Sequence, residues 1–293
     1  MSLNPVKALQ NWNHARLEQR RKGRTYPFRL GVLGIMKNEA LNIEEWIAHY
    51  LWQGAGQLYL IDNGSTDASR DLVKPWIASG QLQLISLPEP GRQRAHYITA
   101  IKRLHIARDC EWLAMADIDE FWFCRDGSTL AETLAGFESQ TDVIYTSWSI
   151  FGSNGHIDHP DSLRTGFTRR QNRSPARIRG NRKWICRTKA LRNARNVGLH
   201  HIKNTCSGRT LTDNDTFQLN HYQIQSEAFF RASKMQRGDA ANTAWDEMRT
   251  MDYFKAVDDL ATVTDRTLAD RVLAQSAVDD IAKSKPDSKA HNR

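Results

Sequence analysis

The chain has 293 residues, of which 40% are apolar and 25% are charged, and its formal net charge is +8 at pH 7. This composition is typical of a soluble globular protein, and the length suits one large domain or two small ones. No run approaches the roughly 18 consecutive apolar residues of a membrane-spanning helix. The N-terminus also lacks the apolar core of a secretory signal, so we expect a cytoplasmic protein.

The first elements follow a polar, basic segment at residues 1–27, which we expect to be a tail or a docking segment. FRLGVLGIM (28–36) is a short apolar run that predicts a buried strand. LNIEEWIAHYLWQG (41–54) has apolar residues at helical spacing and predicts a helix. Asn42 and Glu45 have the spacing of a capping box at the start of this helix.

Strands and helices continue to alternate along the chain. QLYLIDN (57–63) and LQLISL (82–87) predict a second and a third strand. Between them, GSTDASRDLVKPWIASG (64–80) predicts a helix with a kink at Pro75. RAHYITAIKRLHIA (94–107) predicts the next helix, because its apolar residues recur at helical spacing.

The pattern extends through the middle of the chain and then weakens. EWLAMADID (111–119) predicts a fourth strand, STLAETLAGFE (128–138) a short helix, and DVIYTSWSIFG (142–152) a fifth strand. Later signals are strands at 183–188 and 217–224 and helices at 226–238 and 264–283. Alternation of this kind predicts an α/β fold with a mostly parallel sheet and helices on both faces.

Ligands of such sheets bind beyond the carboxyl ends of the strands, and three predicted strand ends are polar. They are KNEA (37–40), DNGSTD (62–67) and DIDE (117–120). Asp62 is placed to accept hydrogen bonds from a nucleoside, although a capped turn explains the same residues equally well. DIDE is the more informative pattern. Neighbouring carboxylates repel each other and raise each other's pKa, so a group of them at a strand end suggests that a positive charge binds there.

A divalent cation would explain why Asp117 and Asp119 lie so close together. Hard cations take oxygen ligands, and a cation bound at the end of a strand can bridge a diphosphate and stabilise a leaving group. We therefore predict that both aspartates bind a hard divalent cation. We expect Glu120 to point away and to support either the fold or the residues that surround the metal ligands.

Four stretches resemble a known family: GIMKNEALNIEEWIAHYLWQGAGQLYLIDNGSTD, WLAMADIDEFW, SWSIFGSNGH and LNHYQIQSEAFFRASKMQRGDA. They are similar to GT-A glycosyltransferases, specifically the bacterial family 2-like group close to glycosyltransferase family 92. The resemblance covers residues 28–265. It implies a GT-A (Rossmann-like) sheet with a nucleotide-binding half at 28–125 and a smaller mixed acceptor half at 126–260. Residues 261–293 would add a C-terminal helix and a polar tail.

The resemblance also implies a nucleotide-sugar donor and a set of residues that bind it. The expected nucleotide contacts are Lys37, Asn38, Glu39, Asp62, Asn63, Asp117, Lys234 and Arg237. It further implies that Asp117 and Asp119 bind Mn²⁺ or Mg²⁺, and a late histidine commonly completes the metal site in GT-A enzymes. His221 is the candidate because an aromatic residue follows it and basic residues lie downstream, and His201 is its rival.

The acceptor side is less sharply defined by the sequence. The loop FGSNGH is expected to lie beside the donor sugar and shape the acceptor pocket, or else to be an ordinary glycine-containing loop. Trp148 would stack on a sugar face or fill the core. The expected acceptor-binding residues are Trp148, Phe151, Gly152, Ser153, Asn154, Gly155 and His156.

An inverting transfer needs a base within hydrogen-bond reach of the acceptor hydroxyl. Between Arg164 and Arg209 there is no acidic residue that could supply it. Asp158 is the preferred candidate because it lies close to the FGSNGH loop. The alternatives are Asp161, Asp213, Asp215 and His156.

The expected function is a metal-dependent glycosyltransferase that modifies a hydroxyl of a saccharide or a lipid-linked acceptor, in surface polysaccharide or glycoconjugate synthesis. One alternative is a sugar-phosphate nucleotidyltransferase, but GIMKNEALN lacks the repeated glycines of its signature loop. A second is an inactive glycosyltransferase scaffold. A third is a non-catalytic nucleic-acid-binding protein, motivated by the basic charge.

The basic charge is concentrated between Arg164 and Arg195, which hold 12 Lys or Arg and no acidic residue. Only Phe167 and Trp184 interleave with these charges, whereas single-strand binders use many aromatic residues, so we expect no specific nucleic acid partner. The segment would instead flank a diphosphate, with Lys183 as one contact, or hold an anionic acceptor. A solvated face and peripheral membrane contact are further interpretations that the composition leaves open.

Overall fold

The computed structural model describes residues 25–137, 140–172, 181–191, 193–205, 208–236 and 249–284. The strands in these ranges are β1 (Phe28–Met36), β2 (Gln57–Asp62), β3 (Leu82–Ser86), β4 (Cys110–Met115), β5 (Glu120–Cys124), β6 (Val143–Ile150), β7 (Arg169–Arg170), β8 (Arg182–Arg187), β9 (Thr210–Thr212), β10 (Phe217–His221) and β11 (Val263–Thr264). Nine of these strands form one sheet, and β7 pairs with β11 in a separate small sheet.

Helices connect and cover the strands of the same described ranges. They are α1 (Ile43–Trp52), α2 (Ser69–Leu72), α3 (Lys74–Ala78), α4 (Gln93–Arg103), α5 (Ile106–Asp109), α6 (Leu130–Gly136), α7 (Leu163–Gly166), α8 (Glu227–Phe229), α9 (Met251–Asp259) and α10 (Thr267–Ser284). A π-helical turn, Phe230–Lys234, continues α8. None of these helices combines the length and the apolar character needed to cross a membrane.

The order of the main sheet is β3-β2-β1-β4-β8-β6-β10-β5, with β9 also paired to β6. The first four strands are parallel to one another. Strand β8 is antiparallel to both of its neighbours, β6 and β10 are parallel, and β5 is antiparallel to β10. The expected α/β fold is thus confirmed, with a parallel half joined to a mixed half.

The sheet is buried on both faces, as the continuous apolar runs predicted. All six residues of β2 are buried, as are the last seven of β1. One core cluster contains Trp46, Trp112 and Trp122, and a second on the opposite face contains Tyr59 and Trp184. Burying a large apolar side chain contributes about 1.5–3 kcal/mol each, so the two clusters hold the polar strand ends in fixed positions.

Close strand packing makes Gly31 a sensitive position in β1. A Cβ atom there would lie 2.5 Å from Cys110 Sγ and 3.1 Å from a ring carbon of Tyr59. We expect Gly31→Ala to lower the free energy of unfolding by about 1–3 kcal/mol, because the packed neighbours must shift. Chemical denaturation should show this loss. Gly136→Ala is the control, since nothing lies within 4 Å of its added Cβ, and equal effects of both variants would contradict the packing argument.

The capping box predicted for α1 is wrong. The side chain of Asn42 makes no capping bond to the helix. It donates instead to Glu39 Oε2 and to Gln225 Oε1, both at 3.2 Å. Glu45 accepts a hydrogen bond from Ser162 Oγ at 2.6 Å. Both side chains have distant partners, and these contacts join α1 to the mixed half of the molecule.

The fourth strand is shorter than predicted, and the strand after it was not predicted. β4 ends at Met115, and Asp117 and Asp119 lie in the turn that follows. The chain then resumes as β5 from Glu120 and pairs with β10 at the far end of the sheet. The two aspartates therefore lie in a turn that connects the two halves of the sheet.

The helix predicted over 64–80 is two short helices. α2 ends at Leu72 and α3 begins at Lys74, with Pro75 in its first turn. Proline lacks a backbone N–H donor and is tolerated at the first turn of a helix, so it breaks the predicted helix rather than bending it.

The predicted division into 1–27, 28–260 and 261–293 stays a prediction. Residues 1–24 and 285–293 lie outside the described ranges. Within the last segment, α10 occupies the place of the expected C-terminal helix.

Candidate active site

A cleft of about 640 Å³ opens at the carboxyl ends of β1, β4, β6 and β10. Several residues predicted from the sequence line it, together with residues that were not predicted. The predicted ones are Lys37, Glu39, Asn63, Asp117, Asp119, Trp148, Lys183, His221 and Lys234. Strands from both halves of the sheet end at this edge, so residues distant in the sequence meet there.

The aspartate turn is held by groups from α1 and by its own neighbour Glu120. The indole N–H of Trp46 donates to the carbonyl oxygen of Asp117 at 3.0 Å. The hydroxyl of Tyr50 donates to the carbonyl oxygen of Glu120 at 2.9 Å. Glu120 is fully buried and accepts a hydrogen bond from the backbone N–H of Asp117 at 3.0 Å. Glu120 thus turns toward Asp117 rather than away from it, and its carboxylate helps to hold the turn.

Asp117 has a partner for each carboxylate oxygen. The hydroxyl of Tyr97 donates to Oδ1 at 3.0 Å, and Lys183 Nζ lies 2.7 Å from Oδ2. Lys183 is also 3.5 Å from Glu120 Oε2. Burial raises the pKa of Glu120 to about 7, against the opposing effect of Lys183. Burial alone would lower the pKa of Lys183, but Asp117 and Glu120 hold it above its usual value.

Asp119 is paired with a different lysine and faces a histidine. Lys234 Nζ lies 2.6 Å from Oδ2, and His221 Nε2 lies 3.6 Å from Oδ1. The ring of Trp148 packs on His221 with centroids 4.4 Å apart. Burial alone would raise the pKa of Asp119, but Lys234 and His221 hold it well below its usual value. Asp119 is therefore ionised at neutral pH.

The described residues contain no cluster of three or more His, Cys, Asp or Glu side chains that could hold a metal ion. Asp119 Oδ1 and His221 Nε2 nevertheless face each other, and the 3.6 Å between them is too long for a good hydrogen bond. Carboxylate oxygen and imidazole nitrogen are ligands that divalent cations accept. Nucleotide-linked cations often take few protein ligands and complete their shell with phosphate and water. The donor set therefore fits a cation that a diphosphate helps to hold.

The residues after β2 chiefly build their own loop. Asp62 is buried, and its Oδ1 accepts the backbone N–H of Ser65 at 2.9 Å. Its Oδ2 has no hydrogen-bond partner in the described structure. Asn38 has a positive φ of 53° and accepts the backbone N–H of Thr66 through Oδ1 at 2.8 Å. Asp62 and Asn38 thus do not line the cleft; they stabilise the loop at its edge.

The FGSNGH loop does not lie where the sequence predicted. It packs against α9: a Cβ atom on Gly152 would meet Asp258 Oδ1 at 2.6 Å. Asn154 donates to the carbonyl oxygen of Gly166 at 3.3 Å. The predicted acceptor residues outside the cleft lining are Phe151, Gly152, Ser153, Asn154, Gly155 and His156. The loop therefore holds α9 in place, and of the predicted acceptor residues only Trp148 lines the cleft.

The candidates for the catalytic base also lie away from the cleft. Asp158, Asp161 and Asp215 are exposed, and Asp213 accepts hydrogen bonds from the backbone of its own turn. None of them lines the cleft. The rival histidine, His201, is exposed too. Arg237 lies outside the described residues.

Several cleft residues were not predicted from the sequence. Tyr253 comes from α9, a helix absent from the sequence-based assignment, although Thr250 caps it and its apolar residues have helical spacing. His200 precedes the predicted rival and packs edge-on against Trp148 at 5.4 Å. Other such residues in the lining are Gln171, Gln223, Phe230, Arg249 and Leu260.

The basic segment Arg164–Arg195 is extensively paired where the structure describes it. Its partners come from distant parts of the chain. The pairs are Arg164–Glu45, Arg170–Asp265, Lys183–Asp117, Arg187–Glu111 and Lys189–Asp142. These basic residues therefore form ion pairs within the chain, and the pairs offer no support for an anionic acceptor or a nucleic acid. Residues 173–180 and 192 lie outside the described residues.

The parallel half, the mixed half and the cleft at their common edge agree with the arrangement that the resemblance to GT-A glycosyltransferases implies. The sequence model of glycosyltransferase family 92 matches residues 33–260. The chain belongs to this family.

Relatives with curated descriptions carry the same family name. A family 92 protein of Ricinus communis is 26% identical over 233 residues, covering 75% of this chain and 39% of the relative. One of Arabidopsis thaliana is 24% identical over 251 residues, covering 79% and 41%. The chain thus spans about two fifths of the length of these relatives.

Solved structures with a similar fold include two with bound nucleotides. S. aureus TarS 1–349 in complex with UDP-GlcNAc has a TM-score of 0.39 at 15% identity, covering 77% of this chain and 71% of that one. GalNAc-T7 with UDP, GalNAc and Mn²⁺ has a TM-score of 0.42 at 11% identity, covering 88% and 58%.

Proposed function

We propose that this chain transfers a sugar from a nucleoside diphosphate sugar to a hydroxyl of a saccharide or lipid-linked acceptor, assisted by Mn²⁺ or Mg²⁺. The observation that carries the proposal is the Asp117–Asp119 turn. It projects two carboxylates into the cleft, opposite His221 and beside two lysines. Family membership supports the reaction class.

The charges of the cleft suit a diphosphate. Lys183 and Lys234 supply two ammonium groups, and charge-assisted hydrogen bonds from such groups to phosphate are strong. When bound at Asp119 and His221, a divalent cation would supply further positive charge to the departing diphosphate. Lys37 and Asn63 line the cleft beside β1 and β2, where the nucleoside would lie.

The acceptor would occupy the end of the cleft beside α9. Aromatic and apolar side chains line this end, with amide groups among them: Gln171, Gln223, Phe230, Tyr253 and Leu260. Gln223 donates to the hydroxyl of Tyr253 at 2.6 Å, which fixes both side chains. Pockets of apolar walls with a few placed polar groups are typical of small-ligand sites. Trp148 packs on His221, which faces Asp119, so a sugar ring would be transferred close to it.

Thermal unfolding with a panel of nucleoside diphosphates, each with and without Mn²⁺, tests the donor site. We expect one nucleotide to raise the unfolding midpoint, and more strongly with Mn²⁺. A ligand at a hundred times its dissociation constant stabilises the folded state by about 2.7 kcal/mol. No shift with any nucleotide would contradict donor binding. If the unfolding midpoint rose equally with and without Mn²⁺, the nucleotide site would be supported but the metal dependence would be contradicted.

A further inference from the structure

The negative charge of Asp119 is already neutralised by Lys234. Their contact is 2.6 Å, and the side chains are 8% and 10% exposed for Lys234 and Asp119. Lys234 ends the π-helical turn Phe230–Lys234, and its ammonium reaches Asp119 across the cleft edge. The carboxylate thus has one oxygen on a lysine and the other facing His221.

This arrangement places two positive charges in competition for one carboxylate. A cation between Asp119 Oδ1 and His221 Nε2 would be on the opposite oxygen from the Lys234 ammonium. Like charges at such short range repel strongly where little water screens them. Binding of the cation alone is therefore opposed by Lys234. A diphosphate relieves the conflict, because its oxygens accept hydrogen bonds from the ammonium.

We propose that Lys234 neutralises Asp119 in the donor-free protein from the oxygen opposite the cation site, and moves to the diphosphate when nucleotide and cation bind. The inference rests on the proposed function and adds a coupling to it: each of the two ligands promotes binding of the other. Reciprocity requires that the nucleotide raise the cation's affinity by the same factor as the cation raises the nucleotide's. In this account Lys234 opposes cation binding until a donor arrives and then binds the donor's diphosphate.

A measurement of Mn²⁺ binding tests the role of Lys234 without any assay of turnover. The electron paramagnetic resonance signal of free Mn²⁺ reports how much of the ion remains unbound. For the native chain we expect the nucleotide found in the thermal panel to tighten Mn²⁺ binding about tenfold or more. For Lys234→Met we expect Mn²⁺ alone to bind about tenfold more tightly than to the native chain, with little further gain from nucleotide. Lys74→Met is the control, because Lys74 forms its 2.6 Å pair with Asp71 on the exposed surface.

A measurement on the native chain covers the case in which Lys234→Met fails to fold. Lys234 is buried and ion-paired, so amine acylation there should be slow. Mn²⁺ alone at high concentration should speed it, and Mn²⁺ with nucleotide should slow it again, as read by peptide mass spectrometry. Unchanged Mn²⁺ affinity in Lys234→Met, or acylation indifferent to Mn²⁺, would overturn the inference. Absence of Mn²⁺ binding to both the native chain and Lys234→Met would also overturn the inference. The thermal shift with nucleotide tests the donor site separately.

Discussion

Asp119→Asn is expected to lower turnover by about 10²–10³-fold, the usual cost of losing one source of charge stabilisation in a transition state, because the cation that Asp119 would help to hold is lost. Asparagine keeps the shape of the side chain but removes the charge that faces His221 and neutralises Lys234. The variant should also lose the Mn²⁺-dependent part of the nucleotide-induced thermal shift. Turnover with the donor identified by that shift, together with circular dichroism of the fold, makes the comparison.

Asp71→Asn is the matched control for this prediction. Asp71 is an exposed aspartate that also pairs with a lysine, Lys74, at 2.6 Å. The same chemical change there should leave turnover and nucleotide binding as they are, since surface pairs contribute little. If Asp119→Asn were as active as Asp71→Asn, the DIDE turn would not be the reacting centre.

The parallel half of the fold was predictable because its signals are local. Strands β1 and β2 are buried on both faces, so each appears as an unbroken apolar run. The mixed half was harder to predict, since β5 pairs with β10, which lies about a hundred residues further along the chain. An apolar run directly after an acidic turn does not reveal such a partner. The end of β4 and the existence of β5 were therefore misjudged together.

The same limit applies to the site. The aspartates were predictable from their position after an apolar run. His221 was a candidate because of the family resemblance, the aromatic residue after it and the basic residues downstream. Their lysine partners were predicted only as phosphate contacts, because Lys183 lies 66 residues and Lys234 115 residues from the aspartates they touch. No local pattern joins residues so far apart. The ion pairs had to be seen in the folded chain.

Two features of the sequence suggested ligand binding but have structural explanations: the glycine of the FGSNGH loop and the excess of basic residues. Position 152 requires glycine because Asp258 and Ala261 lie against it, which leaves no room for a Cβ atom. The approach of a sugar is not needed to explain the glycine. The positive charge of Arg164 is balanced by Glu45, an acidic residue from α1. A composition count shows the excess of basic residues but not the distant acids that neutralise them. Packing and pairing explain both features.

Lys183→Met should destabilise the protein by about 3–5 kcal/mol, the range measured when one partner of a buried ion pair is removed. Lys183 is 1% exposed and is the positive charge that holds both Asp117 and Glu120. Methionine fills similar space but leaves the buried carboxyl group of Glu120 and the partly exposed one of Asp117 without their counterion. The free energy of unfolding from urea denaturation measures the loss.

The size of this loss should depend on pH, because Glu120 can take up a proton. Burial holds its pKa at about 7, above the ordinary 4.5, even with Lys183 opposing that effect. Without the lysine the pKa rises further. A carboxyl that binds its proton more tightly when folded stabilises the fold at low pH, and this stabilisation is lost as pH rises from about 4.5 through 7 and beyond. The deficit of Lys183→Met should therefore be greater at pH of about 8 than at about 5.5.

Glu120→Gln combined with Lys183→Met separates this account from a simple loss of packing. Glutamine can still accept the hydrogen bond that the backbone N–H of Asp117 gives to Glu120, but it carries no charge to leave unpaired. The double variant should regain about 1 kcal/mol or more over Lys183→Met at neutral pH, a coupling within the range of contacting residues. Its remaining deficit should also vary less with pH. Additive effects, with the same pH dependence in single and double variants, would mean that Lys183 acts by filling space and not by neutralising Glu120.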